Sequence, residues 1–277
     1  MDKPVVENEN DFLKNSIYLD DFLAKWLINV CHLDFIKFSI ALAIIISSTC
    51  LLTAWVSGVL NSHSGNVGFL QDWLGWFWAI VVHPVLGGAY LWSATALSSL
   101  GYKLKKIDNV NLTVQELDPL FQNSNYPWGK FLALGIAVFG SIIYYSLRSD
   151  LNTWTSSAFL PKLATSVFVL LAIYMANMLA LNLVINIVKI YRLFDGKEIQ
   201  LNPLHPDRCG GLKPLSEYSL KTAYIAAIFG LMLGLGWYRF LANQTEFQKY
   251  WFLIILTIMY IFASLICFFV PLLRIVD

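Results

Sequence analysis

The sequence predicts an all-α membrane protein with six transmembrane helices, preceded by an amphipathic interfacial helix, and with both termini in the cytoplasm. Three observations predict it. Of 277 residues, 57% are hydrophobic and only 13% charged, against about 25% charged in an ordinary soluble domain. The mean hydropathy is +0.61, so the chain carries more apolar surface than a water-soluble fold of this length hides. Finally, Lys and Arg are unevenly spread between alternate loops, which sets an orientation.

The first 34 residues contain seven acidic groups and no early apolar block. The first span therefore reads as an uncleaved anchor rather than a cleavable signal. Residues 1–34 form a cytoplasmic N-terminal segment, with Phe12, Leu19, Leu23, Trp26, Val30 and Leu33 recurring at three- and four-residue steps. Asp20, Asp21 and Lys25 fall on other faces, so an amphipathic helix is expected over 11–33. It docks either on lipid or on the protein's own cytoplasmic loops, and its acidic character is unusual for a helix on anionic headgroups.

Residues 35–277 form the transmembrane domain. About 20 apolar residues cross about 30 Å of hydrocarbon, and the apolar segments lie near 38–60, 73–98, 131–147, 163–188, 222–240 and 250–273. Fifteen of the 19 Lys and Arg residues fall before residue 38, in the 99–130 and 189–221 loops, and in the C-terminus. These segments are assigned to the cytoplasm. The 99–130 loop is polar and has room for a short helix of its own. Asn111-Leu112-Thr113 and Asn243-Gln244-Thr245 match the glycosylation pattern. The first is cytoplasmic in this topology, and the second matters only in a eukaryotic secretory pathway.

Between Lys37 and Asp72 there is no Asp, Glu, Lys or Arg, and the other span cores are equally free of them. Proton-coupled transport usually needs such a group inside the membrane, although backbone carbonyls can bind sodium without one. A passive pore, a scaffold or a signalling protein remains open. His83 is the one ionisable side chain well inside a span, with Pro84 and Gly87-Gly88 after it. It reads as a gate or ligand-sensitive kink, or as a neutral imidazole bonded to a carbonyl freed by Pro84. Asn182 and Asn186 form an amide stripe with Lys189, while Asn177 lies elsewhere on the helix. The stripe lines a pore or bonds another helix.

Gly230 and Gly234 form a GxxxG helix-packing motif, and Gly135, Ala137, Gly140 and Ser141 play a similar part. Trp73, Trp76, Trp154, Trp237 and Trp251 read as an interfacial aromatic belt. Cys31, Cys50, Cys209 and Cys267 contain no C-x-x-C pair, so neither a disulfide framework nor a zinc site is expected.

The 201–221 stretch, LNPLHPDRCGGLKPLSEYSLK, is the most polar and conformationally restricted part of the second half. His205, Asp207 and Cys209 alternate, but three ligands this close rarely close a metal site. Gly210 and Gly211, near Arg208 and Lys213, offer backbone amides to an anion without any Walker pattern. The simpler reading is a rigid turn fixed by Pro206, Gly210, Gly211 and Pro214, with Ser216 as N-cap of the fifth span. HPDR also occurs in J-domain co-chaperones, but between soluble helices.

Leu204 through Leu212 resembles the LHPDxxGGL-type loop of largely uncharacterised bacterial multi-pass membrane proteins, where it precedes a late transmembrane pair. Pro271-Leu272 is similar as well. The resemblance covers mainly the last third of the chain. It implies a bacterial inner-membrane location and a charged cytoplasmic helix after the last span, beyond Asp277, but no assigned reaction.

These readings rank an oligomeric channel first, gated or tuned by His205, Asp207, Arg208, Cys209, Gly210 and Gly211. A non-conducting anchor or signalling subunit of a larger bacterial complex, such as a defence system, comes second. An intramembrane enzyme comes last, since no catalytic set converges. The expected partners are the bilayer, further copies of the chain and a cytoplasmic protein. With a net charge of +1, no nucleic acid is expected, and no cofactor or metal is expected either.

Overall fold

A computed structural model describes residues 21–61, 67–105, 127–148, 153–194, 212–242 and 254–265 apart from 256 and 263. Among these residues the chain is helical, with one isolated bridge between Val67 and Thr153. In chain order the helices are α1 (Phe22–Lys25), α2 (Phe35–Val56), α3 (Trp73–Phe77), α4 (His83–Lys105), α5 (Pro127–Arg148), α6 (Trp154–Ser157), α7 (Phe159–Phe194) and α8 (Lys213–Ala242). Two π-helical turns, Trp26–Val30 and Trp78–Val82, extend α1 and join α3 to α4.

Four helices are long and apolar enough to cross a membrane: Phe35–Val56, Trp73–Leu104, Phe159–Arg192 and Lys213–Leu235. A shorter apolar helix covers Trp128–Tyr144. The expected sixth span, 250–273, falls only in part among the described residues, where 257–262 is helical.

The boundaries also differ from expectation, and for identifiable reasons. The second and fourth spans run on to Lys105 and Phe194, past their apolar cores; no proline interrupts either extension, and Gly101 is accommodated within the first. The helix expected from 222 begins at Lys213. Ser216 is therefore not its N-cap: its N–H donates to the Leu212 carbonyl inside the first turn. Pro214 sits in that same turn, where a missing N–H costs no helical bond. At 32 and 34 residues, the Trp73–Leu104 and Phe159–Arg192 helices reach about 48 and 51 Å at about 1.5 Å per residue. Both exceed the roughly 30 Å hydrocarbon core of a bilayer.

The chain divides into two compact units. The first comprises Asp20–Trp92 and Tyr126–Leu181, and the second Met1–Leu19, Ser93–Asn125 and Asn182–Asp277. In the first unit, α2 starts on Asp34, whose carboxylate accepts the Lys37 N–H at 2.8 Å. The helix ends in a Schellman turn, in which Gly58 (φ 69°) supplies the left-handed residue. The Gly58 N–H bonds the Trp55 carbonyl and the Val59 N–H bonds that of Ala54.

Beyond that turn, the Phe69 and Leu70 N–H groups bond the Val59 and Leu60 carbonyls. Phe69 is fully buried between Trp76 and Trp154, at ring-centroid distances of 4.5 and 4.7 Å. Asp72 accepts the Gly75 N–H at 3.0 Å, which caps α3, and the Trp154 indole N–H at 3.0 Å. Trp154 is only 3% exposed. It is therefore no belt residue, as the sequence reading had it, but part of a closed aromatic cap held by a carboxylate.

Gly87 and Gly88 let α4 lie directly on α2. A β-carbon on Gly87 would stand 2.2 Å from Leu42 Cδ1, and one on Gly88 would stand 2.3 Å from Ser39 Oγ and 3.3 Å from the Phe35 carbonyl oxygen. These contacts show close helix approach at this pair. Gly135, by contrast, has open space around it. On α5 the inward residues are Ala133, Ala137 and Ser141, one every four residues.

Two predictions follow from the packing and from the cap. Replacing Gly87 and Gly88 together by alanine overpacks the α2–α4 contact and costs about 1–3 kcal/mol, whereas Gly135→Ala stays within about 0.5 kcal/mol. Thermal midpoints in detergent micelles measure the contrast.

The second concerns pH. The Lys37 backbone N–H holds the Asp34 carboxyl below its ordinary pKa. A depressed folded-state value contributes stability that is present above the unfolded pKa and lost as pH falls through the folded one. The midpoint gap between wild type and Asp34→Ala is thus full above about pH 4 and closes on further acidification. A gap independent of pH removes the carboxylate from the cap.

Candidate functional site

The most unusual group in the first unit is one that periodicity placed on the wrong face. Asp21, expected on a polar outer face of the N-terminal helix, is 1% exposed. Its Oδ1 accepts the Leu23 N–H at 3.0 Å, making it the N-cap of α1. The same oxygen accepts the Tyr174 hydroxyl at 2.9 Å, and Oδ2 accepts the Tyr90 hydroxyl at 2.5 Å. Tyr90 lies on α4 and Tyr174 on α7, so one carboxylate joins three elements of the unit. The ion pairs among the described residues, Lys37–Asp34 and Lys103–Glu217, do not involve it.

Three donors on two oxygens are what a buried carboxylate needs when water is excluded. The sequence carries no local sign of this pairing, because the partners stand 69 and 153 residues away.

The rest of α1 turns the same way. Ala24 and Leu27 are buried beside Asp21, whereas Phe22, Trp26 and Val30 are 79%, 46% and 64% exposed. The expected docking stripe included Leu23, Trp26 and Val30. The docking face is instead the narrow one of an aspartate, an alanine and a leucine. This face rests on neither surface weighed from sequence, lipid or the cytoplasmic loops, but on helices of the protein, through Tyr90 and Tyr174.

In the second unit, two of the predicted amides converge on one serine. Asn182 Nδ2 donates to Ser93 Oγ at 2.9 Å, and Asn186 Nδ2 lies 3.5 Å from the Ser93 carbonyl oxygen, a long contact. Asn182, Asn186 and Ser93 are all buried. Asn177, in the first unit, is half-buried, and its Nδ2 has no hydrogen-bond partner among the described residues.

His83 is buried, with Nδ1 2.8 Å from the Trp78 carbonyl oxygen. A carbonyl only accepts, so Nδ1 carries the proton in this arrangement. The bonded carbonyl is not one freed by Pro84. It belongs to the π turn, where it also accepts the His83 backbone N–H. The ring meets the Trp78 indole edge-on at 6.0 Å.

Of the GxxxG pair, Gly230 is a contact. A β-carbon there would stand 2.6 Å from the Tyr260 hydroxyl, which donates to the Ala226 carbonyl at 2.9 Å. Gly234 faces open space. Trp237, also expected in the belt, donates its indole N–H to Thr257 at 2.9 Å. Lys103 and Glu217 form an ion pair at 3.1 Å, exposed enough to contribute little to stability. The loop residues His205, Asp207, Arg208, Cys209, Gly210 and Gly211 lie outside the described residues, as do Cys209 and Cys267 among the cysteines. Among the described residues, no cluster of three His, Cys, Asp or Glu side chains is placed to hold a metal.

Comparison with protein-family models, with curated proteins and with solved structures gives no match for this chain.

The Ser93 cluster yields a test of its own. Asn182→Ala removes the shorter amide bond, the one to the Ser93 hydroxyl oxygen. Interhelical hydrogen bonds in membranes average about 0.6 kcal/mol and reach about 1.7, so the loss falls in that range. Unfolding measured in bicelles reads it, and Asn186→Ala, which removes only a long contact, costs less.

Proposed function

We propose that the chain is a multi-pass membrane protein acting as a non-conducting anchor or signalling subunit of a larger assembly. The observation that carries this reading is the engagement of two polar clusters between its helices. Asn182 and Asn186, whose spacing motivated a pore, are buried against Ser93. Asp21 is occupied by two tyrosines and a backbone amide. Polar side chains used as adhesion between helices are not offered to a water path. Four long apolar helices support residence in the bilayer.

In this reading both termini face the cytoplasm, as the distribution of Lys and Arg supports. The membrane is the bacterial inner membrane, as the LHPDxxGGL-type loop implies. The 201–216 loop, carrying His205 and Asp207, is then the cytoplasmic surface that a protein partner reads.

The second reading is an oligomeric channel, and Asn177 is the observation in its favour. It is a half-buried amide on a long apolar helix, with its Nδ2 unpartnered among the described residues.

Reconstitution in liposomes separates the two. The anchor reading expects ion and small-solute flux no greater than in protein-free vesicles. It also expects a partner that co-purifies in mild detergent and is lost in His205→Ala or Asp207→Ala without loss of the membrane protein itself. Flux that Asn177→Leu abolishes would overturn it in favour of the channel.

A further inference from the structure

The segment that carries Asp21 is built as a separable piece. Its helix, Phe22–Lys25 with the π turn Trp26–Val30, has nine residues, short of the roughly 12–15 that an isolated helix needs to persist in water. It ends at a sharp reversal. His32 has φ 50° and is the one non-glycine residue with positive φ among those described. Two residues later the Asp34 carboxylate caps α2 independently. The first long helix therefore keeps its own start whatever the preceding segment does.

The grip on the rest of the unit is small and local. Its fully buried part is Ala24, Leu27 and the carboxylate of Asp21, with Leu23, Lys25, Ile28, Cys31 and Leu33 half-buried. The opposite face, Phe22, Trp26 and Val30, is apolar and exposed, which suits contact with acyl chains in a protein whose neighbouring helices are themselves long enough to span.

We propose that residues 22–33 form a detachable strap, latched at Asp21 onto Tyr90 and Tyr174 and hinged at His32. Unlatching does two things at once. It releases the strap onto the lipid surface through its outer apolar face. It also removes the hydrogen-bonded bridge between Tyr90 on the Trp73–Leu104 helix and Tyr174 on the Phe159–Arg192 helix. A signal that pulls on the N-terminal segment is thereby converted into altered packing of two membrane-length helices. This inference does not depend on whether the chain conducts, so it stands apart from the anchor reading.

Hydrogen exchange on the full chain in lipid nanodiscs tests it. An undocked strap frays, so peptides covering 22–33 should exchange at least tenfold faster in Asp21→Ala than in wild type. Tyr174→Phe, a milder change that leaves the Tyr90 bond, should give a smaller acceleration in the same peptides. Peptides from Phe35–Val56 should be unchanged in both. Asn182→Ala, which loosens a different cluster, should leave the strap peptides at the wild-type rate. Two results would overturn the proposal: strap peptides that keep the wild-type rate in Asp21→Ala, or acceleration spread equally through Phe35–Val56. The first makes the carboxylate dispensable for docking, and the second makes it a support of the whole unit rather than a latch.

Discussion

The carboxylate of Asp21 takes two tyrosine hydroxyls and one backbone N–H, and the arrangement of the first unit follows from that requirement. A carboxylate removed from water needs several donors near both oxygens. A helix of nine residues supplies one of them, the Leu23 N–H at its own first turn. The other two come from the phenols of Tyr90 and Tyr174 on neighbouring helices, which donate without adding a second charge. Tyr90 and Tyr174 therefore fix where α4 and α7 stand relative to the strap. A lysine or arginine at either position would neutralise the charge, but would bring a strongly hydrated group into the same apolar setting.

The remaining packing obeys the rule that separates membrane bundles from soluble ones. Lipid solvates leucine as well as another helix does, so apolar area alone does not choose the contact face. Close approach and polar bonds choose it instead. This is why α1 turns Asp21, Ala24 and Leu27 inward and leaves Phe22, Trp26 and Val30 outside. It is also why α5 buries Ala133, Ala137 and Ser141 and exposes Phe131, Leu134, Phe139 and Ile142. Gly87 and Gly88 do the same for α4 by admitting Leu42 and Ser39 where side chains would otherwise stand.

What the sequence made legible follows the same division. Length and hydropathy report what a helix presents to lipid, so the all-helical class and the four helices long and apolar enough to cross a membrane were readable. Facing was not readable for α1, because an apolar stripe reads as a docking face, whereas Trp26 and Val30 of that stripe are exposed. The partners of Asp21, Asn182 and Trp154 were hidden for a different reason. Each lies more than 60 residues from its own partner, at separations of 69, 89 and 82, where local periodicity carries no information. A signal did exist for Asp21, since an acidic helix on a cytoplasmic leaflet is electrostatically out of place. That misfit pointed to a carboxylate with an internal destination.

Hydrogen bonds between membrane helices contribute modestly, about 0.6 kcal/mol on average, while shape complementarity at small residues sets how near two helices can come. The two kinds of contact therefore have different consequences when disturbed. Filling a glycine notch, as at Gly87 or Gly88, strains a contact that is relieved only if Leu42 or Ser39 shifts. Breaking a polar node such as Asp21–Tyr90–Tyr174 releases groups that can be satisfied again at the headgroup region, provided the element carrying them is short and separately bounded. The strap meets both conditions, with a reversal at His32 on one side and an independent cap at Asp34. The Ser93 cluster does not, because Asn182 and Asn186 sit within the 36-residue helix Phe159–Phe194, with no break that lets them leave together. The same chemistry of buried polar contacts thus serves as a fixed bond in one unit and as a switchable one in the other.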